Sequence, residues 1–270
     1  MVVIKQKPQL SSAQLELDLF RPREKDRNHR KGGRSFYFFD FDDNIAFLST
    51  HIILFHQKTG VELNISTGEY ALKKNMIGKE GKYKDYEIRL CDKTGSYRNF
   101  RDRNHTLVPK LFRSKEAFVD DIERTIKNKD NWKAPSWNYF FHAIYNGRPI
   151  SLITARGHSK QTIKEGIKIL AKNGHISGNP NYLSIYPVSN IRTRKELGDK
   201  DLTMSVPELK KKAIRKSVEV ALKKYGHNPH HRFGMSDDDP KNIALITEEM
   251  QALKKDYPQM SFFVIDTKED

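Results

Sequence analysis

Apolar runs of strand length recur along the chain, and helical patterns lie between them. The runs are SFYFF directly before Asp40, ISLIT at 150–154, RFGMS at 232–236 and SFFVID near the C-terminus. Strands that alternate with helices form parallel sheets whose faces are covered by the helices. The pattern therefore predicts an α/β layer fold built on a parallel sheet.

Two of the intervening segments carry helix signals at both ends. HSKQTIKEGIKILAKNG has Ser159 as an N-cap and Gly174 as a C-terminal stop. VPELKKKAIRKSVEVALKKYG places Pro207 in the first turn and ends at Gly226. Both segments repeat apolar residues at helical spacing, so we expect each helix to pack one face on the sheet.

The alternation of strands and helices is interrupted between about residues 50 and 130. This segment has the pattern of short strands and turns, followed by a helix over about 114–127. We interpret 50–130 as an α+β insertion after the first strand, into a core made of 34–49 and 131–270.

Residues 1–33 are poor in apolar side chains and rich in charge. The stretch RPREKDRNHRKGGR is punctuated by proline and glycine and ends in a glycine pair. We expect residues 1–33 to form a flexible basic tail.

Polar and acidic residues follow three of the predicted strands at the point where each strand ends. The sequences at these ends are DFDDN from Asp40, TARG from Thr154 and SDDDP from Ser236. Ligands of open α/β sheets bind beyond the carboxyl ends of the strands. If the three ends adjoin, their carboxylates repel one another unless a cation is present, and Mg²⁺ is the ion that prefers such oxygen ligands.

The overall charge indicates an anionic partner. The net charge is +15 at pH 7 with a pI of about 9.6, which favours polyanions or phosphorylated small molecules, although a basic surface can also serve solubility alone. The single cysteine excludes an internal disulfide and predicts a reducing, cytoplasmic location. No apolar stretch approaches the length of a membrane span and the N-terminus lacks a secretory pattern, so we expect no membrane association.

Three motifs in this order and spacing resemble those of the haloacid dehalogenase superfamily. FFDFDDNI is similar to its first motif, ITARG to its second and GMSDDDPKN to its acidic fourth motif. The resemblance covers about 40–49 and 148–266, and Asn44 stands where Thr or Val is usual. The third motif of the family is a lysine near the start of a helix, and the helix from Pro207 occupies that position. Counting back from Gly226 favours Lys212, and Lys210 and Lys211 remain as alternatives.

The resemblance implies a Rossmann-like core, an inserted cap and a Mg²⁺-dependent phosphatase that acts on a phosphomonoester. Asp40 would form an aspartyl-phosphate, and Asp42 would serve as general acid and then as general base. The ion would be held by Asp40, the backbone carbonyl of Asp42, Asp237 and Asp238.

Further roles follow from the same resemblance. Thr154 and Lys212 would hydrogen-bond the phosphoryl oxygens, and Arg156 would contribute to substrate binding. Members that dehalogenate carbon substrates lack the acid at the position of Asp42, so its presence favours phosphatase chemistry. The insertion would act as the cap that selects the substrate.

A second resemblance lies in the tail. QLELDLF at 14–20 is similar to the bacterial sliding-clamp-binding peptide, with Gln14, Leu17, Leu19 and Phe20 at its defining positions. The alternating leucines also fit an edge strand packed on the domain. Clamp binding would make a nucleotide or a phosphorylated DNA end the expected substrate. The alternative function is a DNA- or clamp-associated binding protein that uses the same scaffold with little turnover.

Overall fold

The computed structural model describes residues 22–267 except 92, 104–114 and 129, and the backbone alone of 240 and 241. The chain divides into two compact units. The first combines the chain up to Phe47 with Lys133–Ala155 and Leu170–Asp270, and the second combines Leu48–Trp132 with Arg156–Ile169.

The described strands and helices are numbered in chain order. The strands are β1 Ser35–Phe39, β2 Ile52–His56, β3 Glu62–Ile65, β4 Tyr86–Glu87, β5 Pro149–Thr154, β6 Asn181–Pro187, β7 Arg232–Asp237 and β8 Ser261–Asp266. The α-helices are α1 Thr67–Lys73, α2 Ala117–Asn128, α3 Trp137–Tyr145, α4 Lys160–Lys172, α5 Ile191–Glu196, α6 Val206–Tyr225 and α7 Pro240–Asp256. Short 3-10 helices cover His29–Lys31, Lys74–Met76, Gly81–Tyr83 and Arg98–Phe100.

The first unit contains a five-stranded sheet in the order β6-β5-β1-β7-β8, and all its neighbouring strands run parallel. Tyr37 at the centre of β1 pairs with Ile150 of β5 and with Gly234 of β7. The chain order of the strands reverses at β1, and open α/β sheets bind ligands at such a point, beyond the carboxyl ends. The predicted parallel α/β sheet is confirmed.

The apolar residues of β1 alternate between the two faces of the sheet. Phe36 and Phe38 are buried in the cluster that contains the apolar residues of α6 and α7. Phe39 packs edge-on against Phe140 of α3, with ring centroids 5.6 Å apart. Helices therefore cover both faces of the central strand, which explains why SFYFF reads as a continuous apolar run.

The two helices with clear sequence signals form as expected. In α6 the hydroxyl of Ser205 accepts a hydrogen bond from the Glu208 N–H, and the Glu208 carboxylate accepts one from the Ser205 N–H, a capping box. In α4 the Ser159 hydroxyl accepts a hydrogen bond from the Thr162 N–H at 3.1 Å. By contrast, β6 was not predicted, because NYLSIYP mixes polar residues with its apolar ones and its first four residues are only half-buried.

Residues 22–33 are held against the first unit, which corrects the expectation of a flexible tail over 1–33 for this part. Asp26 forms an ion pair with Arg148 at 2.8 Å, and both side chains are almost buried. Asp26 also accepts a hydrogen bond from the Ser35 N–H, and Asn28 donates one to the carbonyl oxygen of His230. This charged segment is therefore anchored by one nearly buried ion pair and by hydrogen bonds to the rest of the unit.

The second unit contains a three-stranded antiparallel sheet in the order β3-β2-β4. Ile52, Leu54, Ile65 and Tyr83 form its buried cluster, and α2 covers most of the helix that the sequence predicted over about 114–127. Across the residues described for the two units, no helix has the length and apolarity to cross a membrane.

The second unit also takes Arg156–Ile169, which the sequence had assigned to the core. The reason is visible at Gly166 of α4. A Cβ at this position would lie 2.5 Å from Cε1 of Phe118 in α2, so the missing side chain leaves the space that the phenyl ring fills. This packing groups the first part of α4 with the insertion.

Candidate active site

Three carboxylates meet at the carboxyl ends of β1 and β7. Asp40 directly follows β1, and its N–H donates a hydrogen bond to the carbonyl oxygen of Ser236 at 3.1 Å. Asp237 is the last residue of β7, and Asp238 follows it. One carboxylate oxygen each from Asp40, Asp237 and Asp238 lies within 4.8 Å of the other two, and the three could hold a metal ion.

A tight turn keeps the acids of DFDD at the end of β1. The N–H of Ile45 donates to the carbonyl oxygen of Phe41 at 2.9 Å, and the N–H of Asp43 donates to that of Ala46 at 3.1 Å. Asp43 has a left-handed backbone with φ of +56°, a conformation that Asp adopts more readily than most residues. The chain therefore reverses directly after the strand.

Lys210 supplies the positive charge of the site. Its Nζ lies 2.8 Å from Oδ2 of Asp237 and 3.3 Å from Oδ2 of Asp40, and its side chain is buried. The lysine projects from the second turn of α6, on the face that also buries Leu209, Ala213 and Ile214.

The structure corrects the expected position of this lysine, because Lys212 is exposed. It lines a surface groove together with Met204, Glu208, Lys211, Arg215 and Glu249. Lys211 pairs with Glu248 at 3.1 Å. Successive helix residues are rotated by about 100°, so Lys212 points away from the face that carries Lys210. The burial pattern of the helix, rather than a count from its end, would have identified Lys210.

The single positive charge of Lys210 does not neutralise the negative charges of the three carboxylates. Burial raises the pKa of Asp40 well above its usual range, and the charges of Asp237, Asp238 and Asp42 raise it further, although Lys210 opposes them. Burial and then the charge of Asp237 raise the pKa of Asp238 to about 7. Burial would lower the pKa of Lys210, yet Asp40 and Asp237 raise it. Oδ1 of Asp40 is buried and has no hydrogen-bond partner among the described residues.

Asp237 is held in place by its other oxygen. Oδ1 of Asp237 accepts hydrogen bonds from the N–H of Asp239 at 3.1 Å and from the side-chain amide of Asn242 at 3.0 Å. The sequence did not assign a role to Asn242, although it lies within the quoted GMSDDDPKN motif. Both oxygens of Asp237 are therefore engaged, one by Lys210 and the other by the start of α7.

Asp42 and Thr154 face each other across β1 and β5. The Thr154 hydroxyl, which is buried at the end of β5, donates to Oδ2 of Asp42 over 3.4 Å. Asp42 is half-buried and its side chain is not part of the three-carboxylate group. The structure therefore separates the side chain of Asp42 from the group that Asp40 forms with Asp237 and Asp238.

Arg156 is engaged inside the second unit. The residue is 1% exposed, and its guanidinium lies 4.9 and 4.7 Å from the ring centroids of Phe100 and Phe118 and donates a hydrogen bond to the Thr50 hydroxyl at 2.7 Å. Thr50 in turn donates to the carboxylate of Asp121. These contacts are those of a structural residue, so they do not support the prediction that Arg156 binds substrate.

The clamp-like residues Gln14, Leu17, Leu19 and Phe20 lie outside the described residues. Comparison of the chain with protein-family models, with curated proteins and with solved structures finds no match.

Proposed function

We propose that the protein is a Mg²⁺-dependent phosphatase of the haloacid dehalogenase type, which hydrolyses a phosphomonoester through an aspartyl-phosphate on Asp40. The observation that carries the proposal is the group of Asp40, Asp237 and Asp238, whose carboxylate oxygens lie within 4.8 Å of one another. The buried Lys210 contacts Asp40 and Asp237 of this group. Such costly charge at the carboxyl edge of a parallel sheet is typical of a functional site.

The three carboxylates fit a hard divalent cation. Their donors are all oxygens, their charge exceeds that of Lys210, and one oxygen of Asp40 is buried without a hydrogen bond from the described residues. Asp40, Asp237 and Asp238 would hold the ion. When bound, Mg²⁺ supplies positive charge that offsets the repulsion between the nucleophile and the phosphate.

Asp40 is the proposed nucleophile. One of its carboxylate oxygens forms a bond to phosphorus as the ester oxygen departs with the electrons of the broken P–O bond. Lys210 contacts Oδ2 of Asp40 and so fixes the orientation of the carboxylate. Water then attacks the aspartyl-phosphate and releases inorganic phosphate and free Asp40.

Asp42 is the proposed general acid and base. It donates a proton to the departing alkoxide, and its carboxylate then takes a proton from the attacking water. The Thr154 hydroxyl holds it at the end of the neighbouring strand, and its partial exposure leaves it accessible to a substrate.

Hydrolysis of an aryl phosphate with Mg²⁺ tests the proposal. We expect Asp40→Asn to lower kcat by at least about two orders of magnitude, because the neutral amide is not a nucleophile. Lys210→Met should also lower kcat, because Lys210 orients the carboxylate of Asp40. Lys212→Met changes a lysine on the exposed face of the same helix, so it is the matched control and should retain the wild-type rate. Equal rates for wild type and Asp40→Asn would refute the catalytic assignment.

A second candidate function, binding to nucleic acid, is favoured by a lysine-rich loop in the second unit. The loop spans 73–84 and is closed by a hydrogen bond from the Gly78 N–H to the carbonyl oxygen of Tyr83 at 3.0 Å. Its lysines are Lys73, Lys74, Lys79, Lys82 and Lys84. Only Lys82, which contacts Glu69 at 2.8 Å, forms an ion pair with the described residues. A phosphate backbone would complement the remaining charge.

A further inference from the structure

One buried asparagine links the ends of three strands at the proposed site. The side-chain amide nitrogen of Asn44 donates to the carbonyl oxygen of Asp40 at 3.0 Å and to Oγ of Ser236 at 3.0 Å. Its Oδ1 accepts a hydrogen bond from the hydroxyl of Thr267 at 2.9 Å. Asp40 follows β1, Ser236 lies in β7 and Thr267 follows β8, so Asn44 bridges all three.

The bridge also reaches the backbone of an acidic residue. The Thr267 hydroxyl lies 3.1 Å from the carbonyl oxygen of Asp237 as well as 2.9 Å from Asn44. Ser236 directly precedes Asp237 and Asp238. The hydrogen bonds of Asn44 and Thr267 therefore join the backbone that carries Asp40 to the backbone that carries the other two carboxylates.

Only an amide at position 44 can make this set of contacts. Asn offers two N–H donors and a carbonyl acceptor, whereas Thr offers one donor and Val none. Asn44 and Thr267 are both buried, so any hydrogen bond lost between them would not be replaced by bulk water. Asn44, which stands where Thr or Val is usual in the first motif, thus makes a set of hydrogen bonds that neither of those residues could make.

We infer that Asn44 and Thr267 are positioning residues that set the spacing of the three carboxylates, and with it the affinity of the site for a divalent cation. Neither side chain would bind the cation itself. The side-chain oxygen of Asn44 accepts a hydrogen bond from Thr267, and its side-chain nitrogen donates to Asp40 and Ser236. The inference rests on the proposed function, since it assigns these residues to the cation site of that function.

Cation binding without substrate tests the inference directly. The dissociation constant of Mg²⁺ is measured by calorimetry, and that of Mn²⁺ by electron paramagnetic resonance, for wild type, Thr267→Val and Asn44→Thr. We expect both variants to raise the dissociation constant about tenfold or more, as loss of residues that orient metal ligands does elsewhere. At saturating Mg²⁺, kcat for an aryl phosphate should recover toward the wild-type value.

Two control variants separate positioning from stability. Thr247→Val removes a hydroxyl of α7 that donates to the carbonyl oxygen of Ile243 at 2.7 Å, so it should leave the Mg²⁺ dissociation constant unchanged. Thr267→Ser keeps the hydroxyl and should bind Mg²⁺ like wild type. Urea unfolding in EDTA compares the stability of all variants.

The outcomes distinguish the inference from the function on which it rests. If wild type binds Mg²⁺ and hydrolyses the ester but Thr267→Val and Asn44→Thr bind the ion as tightly, the inference is wrong and the proposed function stands. If Thr267→Ser, which keeps the hydroxyl, loses affinity as much as Thr267→Val does, the loss does not follow from the hydrogen bond, and the inference is wrong. If wild type itself neither binds Mg²⁺ nor hydrolyses the ester, the proposed function fails.

Discussion

Lys210 touches two buried carboxylates at once, and this double contact makes its replacement costly. Lys210→Met leaves Asp40 and Asp237 buried without their cation, so we expect the free energy of unfolding in EDTA at pH 8 to fall by about 3–5 kcal/mol. Lys212→Met, on the exposed face of the same helix, should change it by no more than about 0.5 kcal/mol. Urea unfolding measures both.

A divalent cation should partly restore the Lys210→Met variant, because it replaces the missing positive charge. Repeating the unfolding with saturating Mg²⁺ checks this point. Equal losses of stability for the two lysine variants would show that Lys210 does not compensate the acids.

The candidate site could be predicted at the level of single residues wherever the relevant signal was local in the sequence. The acids of DFDD and SDDDP follow strands directly, so their meeting at one edge follows from a parallel sheet. The lysine was misplaced by two positions because its register depends on which face of α6 is buried. The function of Asn44 could not be predicted, since its partners Ser236 and Thr267 are distant in sequence.

Among the structural elements, the lysine-rich loop 73–84 carries the prediction about nucleic acid. Four of its lysines form no ion pair with the described part of the chain, and replacing them by glutamine should weaken binding to a DNA duplex and flatten the dependence of log K on log salt. Each lost phosphate contact reduces the magnitude of this slope by about 0.9. Fluorescence anisotropy at several salt concentrations measures this slope for Lys73→Gln, Lys74→Gln, Lys79→Gln and Lys84→Gln combined.

A matched variant tests whether total charge alone is responsible. It replaces by glutamine four lysines that lie outside the loop. Lys115, Lys211 and Lys216 each form an ion pair of 2.6–3.1 Å with an acidic residue, and Lys254 donates to the carbonyl oxygen of Met260 at 2.7 Å. This variant has the same net charge as the loop variant and should keep more of the wild-type slope. Identical slopes for the two variants would exclude the loop as a binding surface.

The peptide QLELDLF carries a separate prediction. If it binds a bacterial sliding clamp, Gln14→Ala combined with Phe20→Ala removes the rim hydrogen bond and the aromatic anchor, and binding to a purified clamp should be lost. Hydrolysis of an aryl phosphate should be unaffected. Calorimetry with the clamp measures the first effect, and undiminished binding by the double variant would contradict the assignment.

The elements themselves could be predicted where periodicity was strong. The capping box and the apolar face of α6 define that helix in the sequence. The edge strand β6 could not be recognised, because a strand that is half-buried over most of its length needs no continuous apolar run.

For the molecule as a whole, the acidic site predicts how stability depends on pH. The pKa of Asp238 is about 7 in the folded protein and about 3.9 in an unfolded chain. Between these values the folded state binds more protons at Asp238, so this carboxyl makes the free energy of unfolding in EDTA fall as pH rises from 5 to 8. Three histidines whose pKa values are lowered by burial act in the opposite direction at the acidic end of this range, namely His158, His175 and His231. Asp238→Asn removes this contribution, so the difference in the free energy of unfolding between wild type and the variant should fall as pH rises from 5 to 8.

Mg²⁺ should reverse this dependence. The ion binds ionised carboxylates, so its affinity rises as pH increases through about 7. Urea unfolding across this range, with EDTA and with Mg²⁺, checks both directions. Equal pH dependence of the free energy of unfolding in EDTA for wild type and Asp238→Asn would contradict the raised pKa of Asp238.

The division of the whole chain was only partly readable from sequence. The sequence predicted an insertion at 50–130 because the pattern there breaks the alternation of strands and helices. The grouping of Arg156–Ile169 with it depends on the contact between Gly166 and Phe118, and the binding of residues 22–33 depends on the pair of Asp26 and Arg148. Both are tertiary contacts that no local pattern encodes.

The hydrogen bond between Asn44 and Thr267 joins residues 223 positions apart, and this separation determines when the site can form. A chain emerges from the ribosome with its N-terminal part first, so the first strand and its acids are exposed long before β8 is made. Contacts of such high sequence separation form late and slowly. The protein therefore cannot complete this hydrogen-bonded link during early synthesis, and cleavage between α7 and Thr267 would leave a chain that retains Asp40, Asp237 and Asp238 but lacks the hydroxyl that contacts Asn44.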